Sequence, residues 1–378
     1  MGVRLFLTTK ISTINRILPF TYILKVEYLV IVIFSVVCLI GGLLVYMLFY
    51  IYIKSRREKK YDKWRLISDL LIRKAVFYDD DQVQAETNIP VTDRAKKLMN
   101  KRHFRKLLTE EIVSAKKNIT GISAYNLKNL YQQLLLPNYA LKNLKSRYWH
   151  IKAKAIQELT VMEMDEYVTE LISFTNNQNE LVRMEAQTAI VQFNGFEGLS
   201  FLDAITYPIS DWQQIKLLQQ LAHARPVDMG IDGWLKSANN SVVVFALKLA
   251  RNYQLFELHD DILQCLDHTN PHVRLEAINF FCEIYTEDTS DALISRYLKE
   301  DLKHQLAMIK AIQNIGSEKD VPFLVSLLDK DDHEIKISAA RALTKIGKNG
   351  IALLKRHADD KGYPLDQIAM HVKGGLPA

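Results

Sequence analysis

The sequence is poor in the residues that interrupt regular structure. With 14 glycines and 9 prolines in 378 residues, it lacks the turn punctuation that many short strands need. That excludes a β-sandwich or a propeller and leaves long helices as the default. Cysteine is scarce too: Cys38, Cys265 and Cys282 are an odd set without paired spacing. They build no disulfide framework, and a reducing compartment is expected for the bulk of the chain. Catalytic signatures are missing. There is no GxxxxGK[ST], GxSxG or HExxH, and GKNG at 347–350 reads as a helix end rather than a phosphate loop. No catalytic residue and no cofactor is expected, so the chain reads as a non-enzyme. At 48% hydrophobic and 24% charged it is nevertheless a folding sequence.

What is present is unevenly distributed. The net charge of +6 is the sum of +17 over residues 1–156 and −11 over residues 157–378. Long-range potential follows local charge, so the first part is drawn to anionic surfaces and the second is repelled by them. Phosphate recognition needs an excess of cations, which the acidic part lacks, and no nucleic-acid partner is expected.

From Tyr28 to Ile53 no residue is charged. As a helix this run reaches about 39 Å, against about 30 Å for a hydrocarbon core. It is too long and begins too late for a cleavable signal peptide. Lys54, Arg56, Arg57, Lys59 and Lys60 follow at once, whereas Arg4, Lys10, Arg16 and Lys25 are spread thinly before it. The positive-inside rule then puts the C-terminal part in the cytoplasm, with the span in the inner (plasma) membrane as a single pass. Tyr46, Phe49, Tyr50 and Tyr52 gather at the basic end, as expected at headgroup level. Further on, Arg94, Lys96, Lys97, Lys101 and Arg102 open a basic amphipathic stretch after an expected loop at 79–93. Two readings stand for that stretch: contact with anionic lipid, or a solvated helix packing its apolar side on the first repeat.

The remainder repeats. A β-branched residue, often followed by a cation, with Ala four places on, gives IKAKA at Ile151, VRMEA at Val182, VVVFA at Val242, VRLEA at Val273 and IKISA at Ile335. Degenerate copies are placed at Ile215 and His304, where Gln219 and Met308 replace Ala. The period is near 31, enough for two short helices and their turns. Asn179, Asn239, Asn270 and Asp332 stand three residues before four of the starts, where a side chain can cap a helix.

This pattern, closing on AIQNIG and ALTKIG, resembles the HEAT repeat. The resemblance implies an all-α fold: an N-terminal single transmembrane helix followed by a HEAT-like α-solenoid of about seven helical hairpins. It also implies that Lys152, Arg183, Lys216, Arg274 and Lys336 form a structural ladder between units, interrupted at Val243 and Gln305. The expected organisation is 1–27 extracytoplasmic or interfacial, 28–53 transmembrane, 54–150 basic and helical, 151–360 solenoid and 361–378 tail. The whole order is similar to membrane-anchored HEAT-repeat proteins of Bacteroidota, which tend to be encoded beside membrane polysaccharide glycosyltransferases. A scaffold or adaptor that binds another protein, such an enzyme among the candidates, is the function this implies.

The densest set of possible metal ligands is Cys265, His268 and His272. Soft sulfur and imidazole suit zinc. Yet both histidines flank the Asn270-Pro271 turn and no second ligand pair completes a site, so a structural role is expected and no metal. A metal-dependent or lyase-like enzyme subunit on a HEAT solenoid is the alternative function.

Overall fold

The computed structural model describes residues 26–78, 89–222, 230–362 and 364–374. Among these residues every regular element is helical and none is a strand. Residues 1–25 and most of the loop expected at 79–93 lie outside them. The chain divides into two units, Met1–Leu134 and Leu135–Ala378.

In the first unit, α1 runs unbroken from Val26 to Val76. Its first half is exposed on all sides, as Leu29, Phe34, Leu44 and Phe49 show. Its second half is amphipathic: Trp64, Ser68, Leu71 and Ala75, spaced by three and four, are buried. They face α3 (Arg102–Asn118) and α4 (Ile122–Gln133), which come after the short α2 (Asp93–Met99). Phe104, Leu108 and Ile112 of α3 supply the opposing stripe, and Phe104 meets Trp64 edge to face at 6.0 Å. The end of α1 is closed from α4, where Ser123 Oγ donates to Val76 O at 2.7 Å and Asn126 Nδ2 donates to Tyr78 O at 2.9 Å. These bonds satisfy carbonyls left over at a helix C-terminus.

Among its described residues the second unit is a solenoid of seven hairpins, each a short helix followed by a longer one. The pairs are α5 (Leu136–Leu144) with α6 (Trp149–Val161), and α7 (Val168–Ile172) with α8 (Glu180–Asn194). A 3-10 run, Gly195–Asp203, then stands in for the short partner of α9 (Asp211–Leu221). The array continues with α10 (Ile231–Leu235) and α11 (Asn240–Asn252), then α12 (His259–Cys265) and α13 (Pro271–Phe281). It ends with α14 (Thr289–Arg296) and α15 (Leu302–Ile315), then α16 (Val321–Leu327) and α17 (His333–Ile346). Two further helices, α18 (Lys348–Lys361) and α19 (Leu365–Gly374), pack on α17 and on each other. The region expected as a tail from 361 thus contributes α19, which buries Leu365, Ile368 and Val372. The solenoid also begins earlier than 151, because α5 belongs to its first hairpin.

The long helices begin in strict register. Their N-caps are Tyr148, Asn179, Ser210, Asn239, Asn270, Asp301 and Asp332, 31 residues apart except for 29 between Ser210 and Asn239. All but Tyr148 accept a first-turn amide with the side chain; Asp332 takes two, at 2.8 and 3.0 Å. Ser210 and Asp301 extend the four caps read from the sequence. Ser210 also corrects the third repeat. Its helix starts so that Gln213, not Ile215, holds the β-branched place, and Leu217, not Gln219, holds the alanine place. That place is buried in every unit, by Ala155, Ala186, Leu217, Ala246, Ala277, Met308 and Ala339, and it sets how closely neighbouring helices pack.

Candidate functional site

In four of the seven units the residue after the β-branched place has a common job. Arg183 Nη1 donates to Asn177 O at 2.8 Å and Gln178 O at 3.0 Å, and Arg274 Nη1 donates to His268 O at 2.9 Å and Thr269 O at 3.3 Å. Gln305 Nε2 donates likewise to Tyr297 O and Glu300 O, and Gln214 Nε2 to Ile209 O. Each side chain reaches back over its own turn and satisfies carbonyls there. Most also reach forward to the next unit. Lys152 lies 5.8 Å from the Phe174 ring, Arg183 4.3 Å from the Tyr207 ring, and Arg274 pairs bidentately with Glu300 at 2.7 and 3.1 Å. In the corrected register Gln214 is the third member. Lys216 leaves the ladder and pairs with Glu185 at 3.7 Å, and Gln305 continues the series rather than breaking it. Lys336 makes no such contact among the described residues.

The step from α9 to α11 differs from the others. Consecutive long helices elsewhere pack directly, α6 on α8, α8 on α9, α11 on α13, α13 on α15 and α15 on α17. Here polar reach replaces close approach. Lys248 Nζ donates to Gln214 Oε1 at 2.8 Å and Asp211 Oδ1 at 3.1 Å, Ile209 N donates to Ser241 Oγ at 2.9 Å, and Tyr253 Oη donates to Leu221 O at 2.6 Å. The hydrogen bond and charge of Lys248, with His272 further off, hold the Asp211 carboxyl below the usual carboxylate range. Between these helices opens a cleft of about 1110 Å³, whose walls include Asp203, Asp211, Gln214, Trp234, Asn239 and His272. Trp234 Nε1 donates to Asp203 Oδ1 at 2.6 Å, fixing one wall.

Beside the cleft, α8 and α9 present an apolar face. Leu181 and Trp212 occupy the same register position, one residue into each helix, and Ile215 lies one turn on; they are 48%, 68% and 46% exposed. Full burial of such a side chain is worth about 1.5–3 kcal/mol, so covering what each leaves exposed is worth about half of that. The sequence reading missed Trp212 because a start at Ile215 hid its equivalence to Leu181. Counting from the Ser210 cap would have found it.

Cys265, His268 and His272 are not brought together as ligands. Cys265 is buried and its Sγ donates to Asp261 O at 3.7 Å; burial pushes its thiol up to about 11. His268 Nδ1 accepts from Asn270 N at 3.0 Å inside the turn, while His272 is half exposed and 4.0 Å from Asp211. Among the described residues no group of three or more His, Cys, Asp or Glu could hold a metal ion.

The basic residues fall on three helices. Lys54, Arg56, Arg57, Lys59 and Lys60 are exposed on α1 directly after its uncharged run. Arg94, Lys96 and Lys97 are exposed on α2, Lys101 caps α3 and Arg102 opens it. The stretch expected as one amphipathic helix is therefore two, and its apolar side packs on α1 and α4 of its own unit.

Residues 290–370 match the family model of HEAT repeats. Over 87 residues, 23% of this chain, the sequence is 28% identical to the uncharacterized phycocyanin operon protein Z of Pseudanabaena tenuis (strain PCC 7409). The chain spans 43% of that protein's length. Among solved structures it is similar to an engineered protein, with a TM-score of 0.37 at 17% identity over 74% of this chain and 88% of the other. It is also similar to a chain from the structure of Kap95p binding to RanGDP, with a TM-score of 0.38 at 13% identity over 82% of this chain and 45% of that one. Both scores fall below 0.5, too low to carry a functional comparison.

Proposed function

We propose that the chain is a single-pass membrane protein whose cytoplasmic HEAT-repeat solenoid docks another protein on the face of α8 and α9 beside the cleft. The observation that carries the docking reading is the exposed set Leu181, Trp212 and Ile215, on helices otherwise anchored by a closely packed core. Stacked hairpins suit such a role, because each unit needs only its neighbours for burial and leaves a long surface free. The membrane reading is supported by the window of mean hydropathy 2.9 at the start of α1, none of it buried. A soluble core helix would hide those side chains. The excess of Lys and Arg after Ile53 supports a cytoplasmic solenoid. A membrane polysaccharide glycosyltransferase is the first partner to try, on the resemblance alone.

The test is a photo-crosslinking residue placed at Trp212 in the full chain in its native membrane. One defined protein adduct is expected, lost on Leu181→Asp and absent when the probe sits at Glu334. Equal labelling from both positions would refute the docking face. Extraction of the chain by alkaline carbonate would refute the span.

A further inference from the structure

The foot of α1 carries a second feature, whose meaning rests on the reading of α1 as a membrane span. Because α1 continues through Ile53 and Lys54 without a break, its side chains keep a fixed depth below the hydrocarbon edge. Lys54 is the first charge, Arg57 lies about 4.5 Å deeper and Tyr61 about 10 Å deeper along the axis. These three share one stripe of the helix, at i, i+3 and i+7, and with Leu107 of α3 they wall a cleft of about 380 Å³. That is within the volume range of small-ligand sites.

The charges in the cleft divide by depth. At its inner end Arg65 is engaged by Glu111 at 3.4 Å. At its outer end Lys54 only just reaches Glu58, at 4.0 Å with both side chains more than 60% exposed, so the lysine is readily given up to another acceptor. Asp62 lines the deeper part. Neighbouring cations are already occupied by aromatic faces: Arg56 lies 4.9 Å from the Tyr52 ring centroid and Lys60 4.8 Å from that of Trp64. Arg57 is exposed and has no ion pair among the described residues. A guanidinium at headgroup depth, beside an ammonium and a phenol hydroxyl, is a donor set for a phosphodiester.

We infer that the cleft between α1 and α3 holds the phosphate headgroup of an anionic phospholipid, bound by Arg57 and Lys54 with Tyr61 and Leu107 as its walls. This goes beyond attraction of a basic stretch to a charged surface, because it assigns the lipid to two cations out of many.

The full chain, purified into nanodiscs, tests it by native mass spectrometry of co-retained lipid. The discs contain phosphatidylcholine alone, or with about 20% phosphatidylglycerol, enough for a negative surface. Enriched retention of phosphatidylglycerol is expected, reduced about 30-fold in the Lys54→Gln/Arg57→Gln variant at about fivefold per lost cation. The Lys96→Gln/Lys97→Gln variant loses equal charge outside the cleft and should retain the lipid. Equal losses in the two variants would overturn the site in favour of diffuse attraction, as would the absence of any preference. Displacement of the lipid by inorganic phosphate alone would overturn it in favour of a free-anion site. Release of the chain from membranes by alkaline carbonate is scored separately and strikes the spanning reading instead.

Discussion

Arg274 offers the sharpest test of how the repeats are joined. Its guanidinium makes two bonds forward to Glu300, at 2.7 and 3.1 Å, and two back to His268 O and Thr269 O. The Arg274 and Glu300 side chains are 21% and 6% exposed. The bond to Glu300, and then its charge, raise the arginine's pKa further, so the guanidinium stays charged at every accessible pH. Breaking a fully buried pair costs about 3–5 kcal/mol, and partial exposure of the arginine lowers this to about 2–3 kcal/mol for Arg274→Met. The loss is larger than the contacts suggest, because Glu300 is left buried and, among the described residues, only His304 Nδ1, 3.9 Å away, stands beside it. Replacing it as well, in Arg274→Met/Glu300→Gln, should recover about 1–2 kcal/mol. Lys361→Met is the control: it lies 3.4 Å from Asp329 with the two side chains 57% and 50% exposed, and the cost should stay below about 1 kcal/mol. Native-state hydrogen exchange of α13 and α15 in the detergent-solubilised full chain reads the change locally. A loss under about 0.5 kcal/mol, or single and double variants of equal stability, would show that Arg274 is a solvated side chain and not a joint.

Four further outcomes are expected. Met308→Ala restores the repeat pattern yet should destabilise by about 2–4 kcal/mol in chemical unfolding, because the side chain is 1% exposed and nothing moves in to fill its place. Gln254→Gly should raise the unfolding midpoint, by about 0.5–1 kcal/mol in free energy, since Gln254 holds φ at +52° in the left-handed region after α11. Asp267 is held below the usual carboxylate range by the Arg296 hydrogen bond, so its contribution is complete above its unfolded pKa of about 3.9 and is lost as pH falls through the lower folded value. Acid titration of Asp267→Asn should therefore show a shallower loss of stability below about pH 4. Cys265, its thiol pushed up to about 11 by burial, should resist iodoacetamide at about pH 8 until the chain is unfolded.

Most of the architecture was legible because caps and spacing are local signals. Asn179, Asn239, Asn270 and Asp332 each bond an amide two or three residues on, and a capped start every 31 residues fixes a stack of hairpins. Where the pattern was misread, a polar residue had taken an apolar place. Gln213, 1% exposed, donates to Met184 O at 3.1 Å from a position that holds Val or Ile in most other units, so Ile215 stands out in its stead. His304 replaces the same residue and is satisfied between Asp301 Oδ1 and Pro271 O, both at 2.7 Å, which only the fold reveals. The length of α1 was hidden differently. Charge begins at Lys54 and marks the membrane edge, yet Lys, Arg and Glu are good helix formers and nothing stops the helix before Phe77. The foot of α1 was visible as a run of cations. Which of them share a wall with Leu107 depends on where α3 packs, and spacing along the chain does not carry that.

The two-residue shortening between Ser210 and Asn239 bears on how the docking face works. In a stacked array stability is close to a sum of unit and neighbour terms, so the array opens first where a neighbour term is weakest. Elsewhere that term is apolar, as at α11 and α13, where Val242, Phe245, Ala246, Val273 and Ala277 are all buried. Between α9 and α11 the apolar core runs on through Leu217, Leu221, Val243 and Leu247, and Lys248, Gln214, Ser241 and Tyr253 add hydrogen bonds that net only about 0.5–1.5 kcal/mol each against water. Hydrogen bonds of this kind can be exchanged for others with little loss, whereas a packed apolar seam cannot. The exposed face of Leu181, Trp212 and Ile215 therefore stands at the edge of a joint whose angle is set partly by hydrogen bonds. A partner that covers Trp212 and also replaces bonds of Asp211 or Gln214 would bind by altering that angle, and one that covers Trp212 alone would leave it as it is.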